Sequence, residues 1–260
     1  MLWKGKIKMS IPKIIHYCWL GGGALPAEYE SYIEGWREKL PDYELIRWDE
    51  SNSQVDIPFV KEAYKQKKYA FVSDYIRLKA LYKYGGIYLD TDVEVLKSFD
   101  PLLDCDFFIG YIFDCLLGTA VIGTQKGSPI IAELMKKYEN IDYENRESLI
   151  PNNHVFTDWF LGQDWFTLDG KNIQYGGVNI FNKYCFEQPT YKKTNYTIHH
   201  NRKSWIDSVP NRALAEARKI VGETTYKRIT AYISKIKSPY YSIYKKFKKE
   251  RKRRENFQSF

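Results

Sequence analysis

The stretch YAFVSDYIRLKALYKYGGIYLDTDVEVLKSFDPLL, residues 69–103, decides the fold of this chain. Apolar and polar residues alternate at spacings of three and four over 70–84, which predicts a helix. Gly85-Gly86 ends that helix, because glycine tolerates the backbone conformation that follows a last helical turn. The run IYLDTDVEV, which starts at residue 87, predicts a strand. A helix that passes into a strand through a short glycine turn is the unit from which α/β folds are built.

Strands and helices also alternate on the amino-terminal side of this stretch. KIIHYCWL (13–20) predicts a buried strand and YELIRWD (43–49) a second one, while 26–40 and 58–68 predict helices. The order strand, helix, strand, helix, helix, strand predicts an α/β sandwich with a mainly parallel sheet. Ligands of such sheets bind at the carboxyl ends of the strands, so we expect the site there.

The pattern is less regular on the carboxyl-terminal side. Further strands are predicted at 106–112 and 119–124, and a helix from Ser128 to about Tyr138. Residues 139–210 are aromatic and predict irregular structure, and the chain becomes helical and basic from about Arg212. We therefore expect a body over 1–210 and a C-terminal helical basic extension over 211–260.

Charge is distributed unevenly between these two parts. The net charge is +8, but residues 211–260 hold 15 Lys and Arg against 4 Asp and Glu. The other 210 residues hold 25 basic and 28 acidic side chains and are mildly acidic. A nucleic-acid-binding protein carries a basic body or groove, so the composition predicts no nucleic-acid partner.

Four cysteines, at positions 18, 105, 115 and 185, form neither a CxxC pair nor a metal-ligand spacing. We expect free thiols, as in a reducing compartment. The amino-terminal residues MLWKGKIKMSIPK hold no apolar run of signal-peptide length, and aspartates interrupt the apolar stretch 102–123. The sequence thus predicts a cytoplasmic protein, soluble or peripheral on a membrane.

Asp90-Thr91-Asp92 is the main chemical signal. In a strand, residues two apart face the same side, so both carboxylates can meet one cation. Mg²⁺ and Mn²⁺ take oxygen ligands, and phosphate oxygens complete their shells. The motif also fits the haloacid-dehalogenase type of phosphatase, in which the first aspartate is a nucleophile. That class has the motif on its first strand and needs a later acidic pair, which this sequence does not offer.

Three blocks resemble a known family: 69–103, IPKIIHYCWLGG (11–22) and IHHNRKSW (198–205). Together they are similar to glycosyltransferase family 32, the DxD-containing sugar transferases that include yeast mannosyltransferases and bacterial capsule and lipopolysaccharide transferases. The resemblance implies a GT-A Rossmann-like fold, a nucleotide-diphosphate sugar donor, Mn²⁺ or Mg²⁺, and retention of anomeric configuration. It makes 1–210 the catalytic domain.

The resemblance also implies roles for four charged residues of the 69–103 block. Asp92 resembles the direct metal ligand, and Asp90 would reach the ribose, the donor sugar or, through water, the metal. Asp74 and Arg77, one helical turn apart, resemble the pair that contacts sugar hydroxyls and phosphate. An ordinary intrahelical salt bridge is the alternative for that pair.

Aromatic residues at the end of the first strand are further donor-binding candidates. Tyr17 and Trp19 lie two apart and share a face, and the resemblance suggests that an aromatic there stacks on the base. Core packing is the alternative. Gly21 begins a glycine run that can let backbone approach a nucleotide.

The late block supplies a histidine and a closing loop. His199 and His200 are adjacent and point to opposite sides in extended chain, so only one can face the metal, and the resemblance favours His199. Ser204 and Trp205 would lie on a loop over the diphosphate. Asn201-Arg202-Lys203 departs from the small residues of the family pattern, and its two positive charges favour phosphate.

The resemblance thus implies a hexosyltransferase that uses a UDP-hexose or, next, GDP-mannose and acts on a glycan or lipid-linked acceptor in surface, for example capsular, polysaccharide synthesis. A non-catalytic sugar-nucleotide-binding protein is the alternative. In the extension, apolar residues at 226–247 recur beside the basic run KKFKKERKRR (245–254), with Pro239 as a break. This pattern predicts a peripheral helix on an anionic membrane surface, or a helix docked on the body.

Overall fold

A seven-stranded sheet forms the centre of the molecule, in a computed structural model that describes residues 10–54, 56–141, 150–190, 194–201 and 219–258, except the side chains of 257 and 258. Its strands lie in the order β2-β1-β3-β6-β5-β8-β7. They are β1 (Ile14–Cys18), β2 (Glu44–Trp48), β3 (Gly86–Leu89), β5 (Phe107–Phe113), β6 (Leu116–Thr124), β7 (Ile173–Tyr175) and β8 (Val178–Phe181). Pairings show that β1, β2, β3, β5 and β8 share one direction, while β6 and β7 oppose it. The sheet is thus mainly parallel, as predicted.

A second sheet of two strands lies at the carboxyl end of β3. β4 (Val93–Val95) pairs antiparallel with β9 (Thr197–His199), in a register that sets Val93 opposite His199. The prediction of one continuous strand through the DTD motif is wrong. β3 ends at Leu89, the motif forms a turn in which the Val93 amide donates to the Asp90 carbonyl, and β4 begins after it.

Helices cover the large sheet. They are α1 (Ala27–Lys39), α2 (Pro58–Lys65), α3 (Tyr69–Tyr84), α4 (Pro129–Glu139), α5 (Asn152–Leu161), α6 (Glu223–Lys237) and α7 (Tyr241–Gln258). The first four agree with the predicted helices to within a few residues. Gly85 follows α3 at φ +69°, a left-handed conformation that glycine adopts without steric cost. The expectation of irregular structure over 139–210 is wrong in part, since α5, β7, β8 and β9 lie there.

Two apolar clusters flank the sheet. One gathers α2, α3, α4 and α5 against one face and includes Phe107, Tyr111 and Phe160. The other packs α1 against the opposite face around Trp36, Ile87 and Phe108. All nine residues of β6 are buried, because the strand lies between β3 and β5 and contributes to both apolar clusters.

The two C-terminal helices pack on the body. Tyr240 and Tyr244 belong to the first apolar cluster, at 7% and 5% exposure. The Tyr240 hydroxyl donates to Asp158, and Arg251 pairs with Asp169 at 2.8 Å. The predicted interruption near Pro239 is confirmed, since α6 ends at Lys237 and α7 begins at Tyr241. Of the two predicted placements for this segment, the structure shows docking on the body, since Lys235 of α6 also bonds Asp114.

All four cysteines carry free thiols, as predicted. Cys18, Cys105 and Cys115 are buried, and Cys185 is half-buried. The Cys115 thiol donates to the Lys235 carbonyl in α6. Among the described residues, no helix has both the length and the apolar character needed to cross a membrane.

Candidate active site

Asp90, Asp92 and His199 come together at the carboxyl end of β3. One ligand atom from each of the three lies within 4.8 Å of the other two. The β4–β9 pairing creates this arrangement, because it sets the last residue of β9 opposite the first residue after the motif. His199 Nε2 lies 3.2 Å from Asp92 Oδ1. The two carboxylates supply the oxygen ligands that Mn²⁺ and Mg²⁺ prefer, and the imidazole adds a nitrogen ligand, so these residues fit a divalent cation.

A buried glutamate orients the histidine of this cluster. Glu187 is 2% exposed, and its Oε2 lies 2.6 Å from His199 Nδ1. A carboxylate on Nδ1 leaves Nε2 to face the cation and makes the ring a better ligand. Burial lowers the pKa of His199, but the charges of Glu187 and Asp92 outweigh burial and raise that pKa well above its usual value. A cation would therefore take the place of a proton on Nε2.

Asp90 is fixed from the opposite side by two neighbours. Tyr88 donates its hydroxyl to Asp90 Oδ1 at 3.0 Å, and Arg77 Nη1 lies 3.4 Å from the same oxygen. The Arg77 guanidinium also lies over the Tyr88 ring, 4.4 Å from its centroid. One oxygen of Asp90 is thus engaged within the protein, which leaves Oδ2 for a ligand.

Asp74 and Arg77 form a buried pair rather than a surface salt bridge. Arg77 Nη2 lies 2.9 Å from Asp74 Oδ1, and the two residues are 5% and 8% exposed. Arg77 also donates to the carbonyl of Thr119 and to Ser73. Burial raises the pKa of Asp74 to about 6, with Arg77 opposing that shift and Asp90 adding to it. The structure shows Arg77 positioning Asp90, and the contact of this pair with a donor stays a prediction.

The aromatic candidates occupy different surroundings. Tyr17 is 6% exposed and packs edge-on against Trp36, whose indole donates to the Val93 carbonyl. Through Trp36, Tyr17 therefore supports the β4–β9 sheet from the core, in accord with the packing alternative. Trp19 is half-buried, and its indole donates to the Gly23 carbonyl. The Gly21 amide donates to Glu50, so this loop is tied to the chain that follows β2.

Of the predicted late block, the histidines are described and the loop is not. His199 faces Asp92, while His200 turns the other way, toward Glu94 at 3.0 Å and into a stack with Tyr32 at 4.8 Å. Ser204 and Trp205 lie outside the described residues. The roles proposed for both of them stay predictions.

Sequence reasoning missed Glu187 and Tyr88. Tyr88 lies on β3, two residues before Asp90, which directly follows that strand, so continued alternation could have indicated it. Glu187 had no such signal, because it stands in CFEQPT between two short strands. Its approach to His199 depends on backbone pairing between 185–187 and 196–199.

Comparison with known proteins agrees with this geometry. The family model described as the glycosyltransferase sugar-binding region containing a DXD motif matches residues 26–108, which include Asp74, Arg77, Asp90 and Asp92. Inositol phosphoceramide mannosyltransferase 3 of Schizosaccharomyces pombe is 33% identical over 132 residues, 49% of this chain. The chain covers 37% of that relative's length.

Two further relatives extend the match. An uncharacterized glycosyltransferase of Acanthamoeba polyphaga mimivirus is 28% identical over 218 residues, which span 75% of this chain and 84% of the viral protein. Among solved structures, the PaToxG glycosyltransferase superposes with a TM-score of 0.51 and 20% identity, over 58% of this chain and 69% of that one. The fold is that of the GT-A transferases. The matched region is the sugar-binding region of DXD-containing glycosyltransferases, and the relatives named above are glycosyltransferases, in agreement with the family that the sequence resembles.

Proposed function

We propose that this chain transfers a hexose from a nucleotide-diphosphate sugar to an acceptor hydroxyl, with a divalent cation held by Asp90, Asp92 and His199. The observation that carries the proposal is the convergence of these three side chains at the carboxyl edge of the sheet. A bound Mn²⁺ or Mg²⁺ would neutralise charge on the departing diphosphate. The chain's own part is to fix the ligand oxygens, through Arg77 and Tyr88 on Asp90 and through Glu187 on His199.

The donor nucleotide would lie beside the cation, between β1 and β3. From β1 the chain runs through α1 to β2 on one side, and from β2 it returns through α2 and α3 to β3 on the other side of β1. Such a switch point opens a crevice at the carboxyl ends of the strands, where nucleotides bind. Trp19 and the loop from Gly21 border this crevice, which supports a role for them at the base. Retention of anomeric configuration is part of the same proposal.

The identity of the donor is open to direct measurement. UDP-hexoses and GDP-mannose are the proposed candidates, and the name of the Schizosaccharomyces pombe relative, a mannosyltransferase, favours GDP-mannose. Purified protein is incubated with a panel of both donor types, with Mn²⁺ or with chelator, and nucleotide release is followed. We expect release from one donor type only, and only with metal. Equal rates with metal and chelator would contradict the proposal, as would binding of a donor with no turnover of any kind.

The proposed setting is the cytoplasmic face of a membrane, where surface glycans are assembled on lipid-linked acceptors. On α6, Ile229, Tyr232, Ile233 and Ile236 are each more than two-fifths exposed. On α7, most lysines and arginines of 245–254 lie at the surface, although Arg251 pairs with Asp169. Exposed apolar residues next to a basic cluster favour an anionic bilayer, where each basic residue contributes about 1 kcal/mol.

Vesicle flotation tests this setting. Full-length protein should float with anionic vesicles at low salt and less at high salt, because salt screens the basic cluster. Replacement of Ile229 and Ile233 with serine should weaken flotation. Protein that stays in solution with anionic vesicles at low salt would rule the membrane proposal out and leave the transferase proposal intact.

A further inference from the structure

A basic cleft of about 150 Å³ lies between α6 and the carboxyl ends of β5 and β8. We call it the basic cleft, and its polar lining consists of Lys183, Tyr184, Gln188, Arg228, Tyr232 and Lys235. It opens at the same edge of the sheet as Asp90, Asp92 and His199, which we call the metal cluster, because β3, β5 and β8 are parallel and end there. The proposed donor crevice lies between β1 and β3, so the cleft is on the other side of the cluster.

On each wall of the basic cleft, one lining residue is the sequence neighbour of a residue that contacts His199 or His200. Gln188 lines the cleft, and the preceding residue, Glu187, bonds His199. On the opposite wall, Arg228 follows Lys227, whose ammonium lies 3.2 Å from His200 Nδ1. A ligand in the cleft would therefore be a close neighbour of a sugar bound at the cation.

The cleft has an excess of positive charge. Lys183 and Lys235 share a single carboxylate, that of Asp114, at 2.8 and 3.0 Å. Their side chains are only 17% and 14% exposed, so water screens their charge weakly. Burial works to raise the pKa of Asp114, but the two lysines outweigh it and the pKa lies below its usual value. Two ammonium groups against one carboxylate keep a unit of positive charge, and the Arg228 guanidinium also lines the cleft.

The position and charge of the cleft define the ligand that it suits. We infer that the basic cleft binds the anionic group, a phosphate ester, of the sugar acceptor. Lysines and an arginine are the side chains that bind phosphate oxygens, and the hydroxyls of Tyr184 and Tyr232 add hydrogen-bond donors. This inference rests on the proposed function, because it treats the molecule in the cleft as the acceptor.

The same chemistry has two sources, a phospholipid headgroup or a soluble phosphorylated glycan. The exposed face of α6, which carries Ile229 and Ile233, adjoins Tyr232 at the mouth of the cleft. An acyl chain of a lipid-borne phosphate would meet this apolar surface. A soluble phosphate ester would use the cleft alone, so the two sources differ in their need for α6.

Binding is measured without donor and with chelator, so that the result does not depend on the proposed metal chemistry. Glycerol phosphate is titrated into full-length protein and followed by phosphorus NMR. Wild type should bind, and Lys183→Gln and Arg228→Gln should each weaken binding about tenfold or more, since a charged hydrogen bond is lost. Arg228→Lys should retain most of the affinity, because it keeps the charge.

Controls separate the cleft from the rest of the molecule. Lys136→Gln removes a 64% exposed lysine from α4 and should leave binding unchanged. Asp92→Asn, which disables the proposed catalysis, should not weaken it either. Melting temperatures show whether Lys183→Gln is folded, and Arg228→Gln, at an exposed position, carries the test if it is not.

A second arm distinguishes the two sources. Vesicles of phosphatidylcholine with phosphatidylinositol are mixed with the protein, and glycerol phosphate is added as competitor. If glycerol phosphate displaces the wild-type protein from the vesicles, and Arg228→Gln abolishes this competition, the cleft binds a lipid headgroup. If glycerol phosphate binds but does not compete with the vesicles, the cleft binds a soluble ester. The inference is overturned if glycerol phosphate does not bind, or binds equally to wild type, Lys183→Gln and Arg228→Gln.

Discussion

The two carboxylates of the DTD motif are held by contrasting means. Asp90 is fixed by neighbours from its own stretch of chain, since Tyr88 precedes it by two residues and Arg77 lies on the helix just before. Asp92 faces His199, which follows it by more than a hundred residues, and behind His199 stands Glu187. The Asp90 side is therefore encoded locally, and the Asp92 side depends on long-range strand pairing.

This contrast indicates that the two sides of the proposed site have different roles. On the Asp90 side, one carboxylate oxygen is engaged within the protein by Arg77, which also bonds Asp74, Ser73 and Thr119. The Asp92 side ends in a histidine whose pKa is raised by two carboxylates, an arrangement that a cation would relieve. We expect changes on the Asp90 side to affect folding and changes on the Asp92 side to affect metal binding and turnover.

Asp92→Asn tests the contrast most strongly. The leaving diphosphate would lose part of its cation's support, so nucleotide release should fall on the order of a thousandfold, about 4 kcal/mol. The melting temperature should stay near that of wild type, because Glu187 still bonds His199 in the variant. Near-normal release with Mn²⁺ would show that the cation binds elsewhere.

A pH titration tests the contacts that hold β1 against the end of α3, near the Asp90 side of the site. His16 on β1 pairs Nε2 with the Gly85 carbonyl and Nδ1 with the Trp48 indole, which ties β1 to the end of α3. Burial lowers the pKa of His16 to about 4, against the hydrogen bond to Gly85. The unfolded chain binds this proton below about pH 6.5, so the stabilisation is complete above pH 6.5 and lost as the pH falls toward 4, by about 3 kcal/mol.

His16→Gln removes the titrating group and keeps one donor and one acceptor. Urea unfolding of both proteins across that pH range should give a shallower loss of stability for the variant. If the free energies of unfolding of the two proteins fall in parallel with pH, His16 does not contribute to the acid sensitivity of the fold.

Arg77→Lys separates charge from shape on the Asp90 side. Lysine keeps the positive charge but loses the planar fork that reaches Asp74, Asp90 and Thr119 together. The free energy of unfolding should fall by about 2 kcal/mol, less than for loss of a buried charge. Arg37→Lys, at a 55% exposed position on α1, is the matched control and should change it by less than about 0.5 kcal/mol. Equal stabilities for the two variants would contradict the positioning role.

Glu187→Gln has the smallest expected effect and acts on the Asp92 side. Loss of the carboxylate on His199 Nδ1 should weaken Mn²⁺ binding by about tenfold, measured by calorimetry. Glu94→Gln is the control, since Glu94 lies on β4 but bonds His200 instead of His199. If both variants bind Mn²⁺ as tightly as wild type, the orientation of His199 does not depend on Glu187.

Sequence could predict the parts of the fold that short spacings encode. The helix over 70–84, the glycine stop and strand β3 all follow from local periodicity, and so does the approach of Asp90 to Asp74 and Arg77. The turn at Asp90–Asp92 was predicted as strand, because a short turn between two β-rich runs does not alter the apolar pattern. In the observed turn, as in the predicted strand, the carboxylates of Asp90 and Asp92 face the same site.

The rest depended on contacts that no local pattern contains. β7, β8 and β9 are three or four residues long, and they are strands only because they pair with distant partners. Glu187 reaches His199 through such pairing. The apolar residues of 226–247 indicated an amphipathic helix, but the sequence could not tell that Tyr240 and Tyr244 would enter the core while Ile229 and Ile233 would not.

The placement of the four free cysteines gives the chain internal reporters of its own unfolding. Only the thiolate reacts with alkylating reagents, and burial raises the pKa of Cys18 to about 12, so its labelling must await local opening. Cys115 lies under α6, where its thiol bonds the Lys235 carbonyl. In a timed alkylation, modification of Cys115 before Cys18 would record release of the C-terminal helices ahead of the sheet. The order of modification would then show whether the wall of the basic cleft opens independently of the metal cluster beside it.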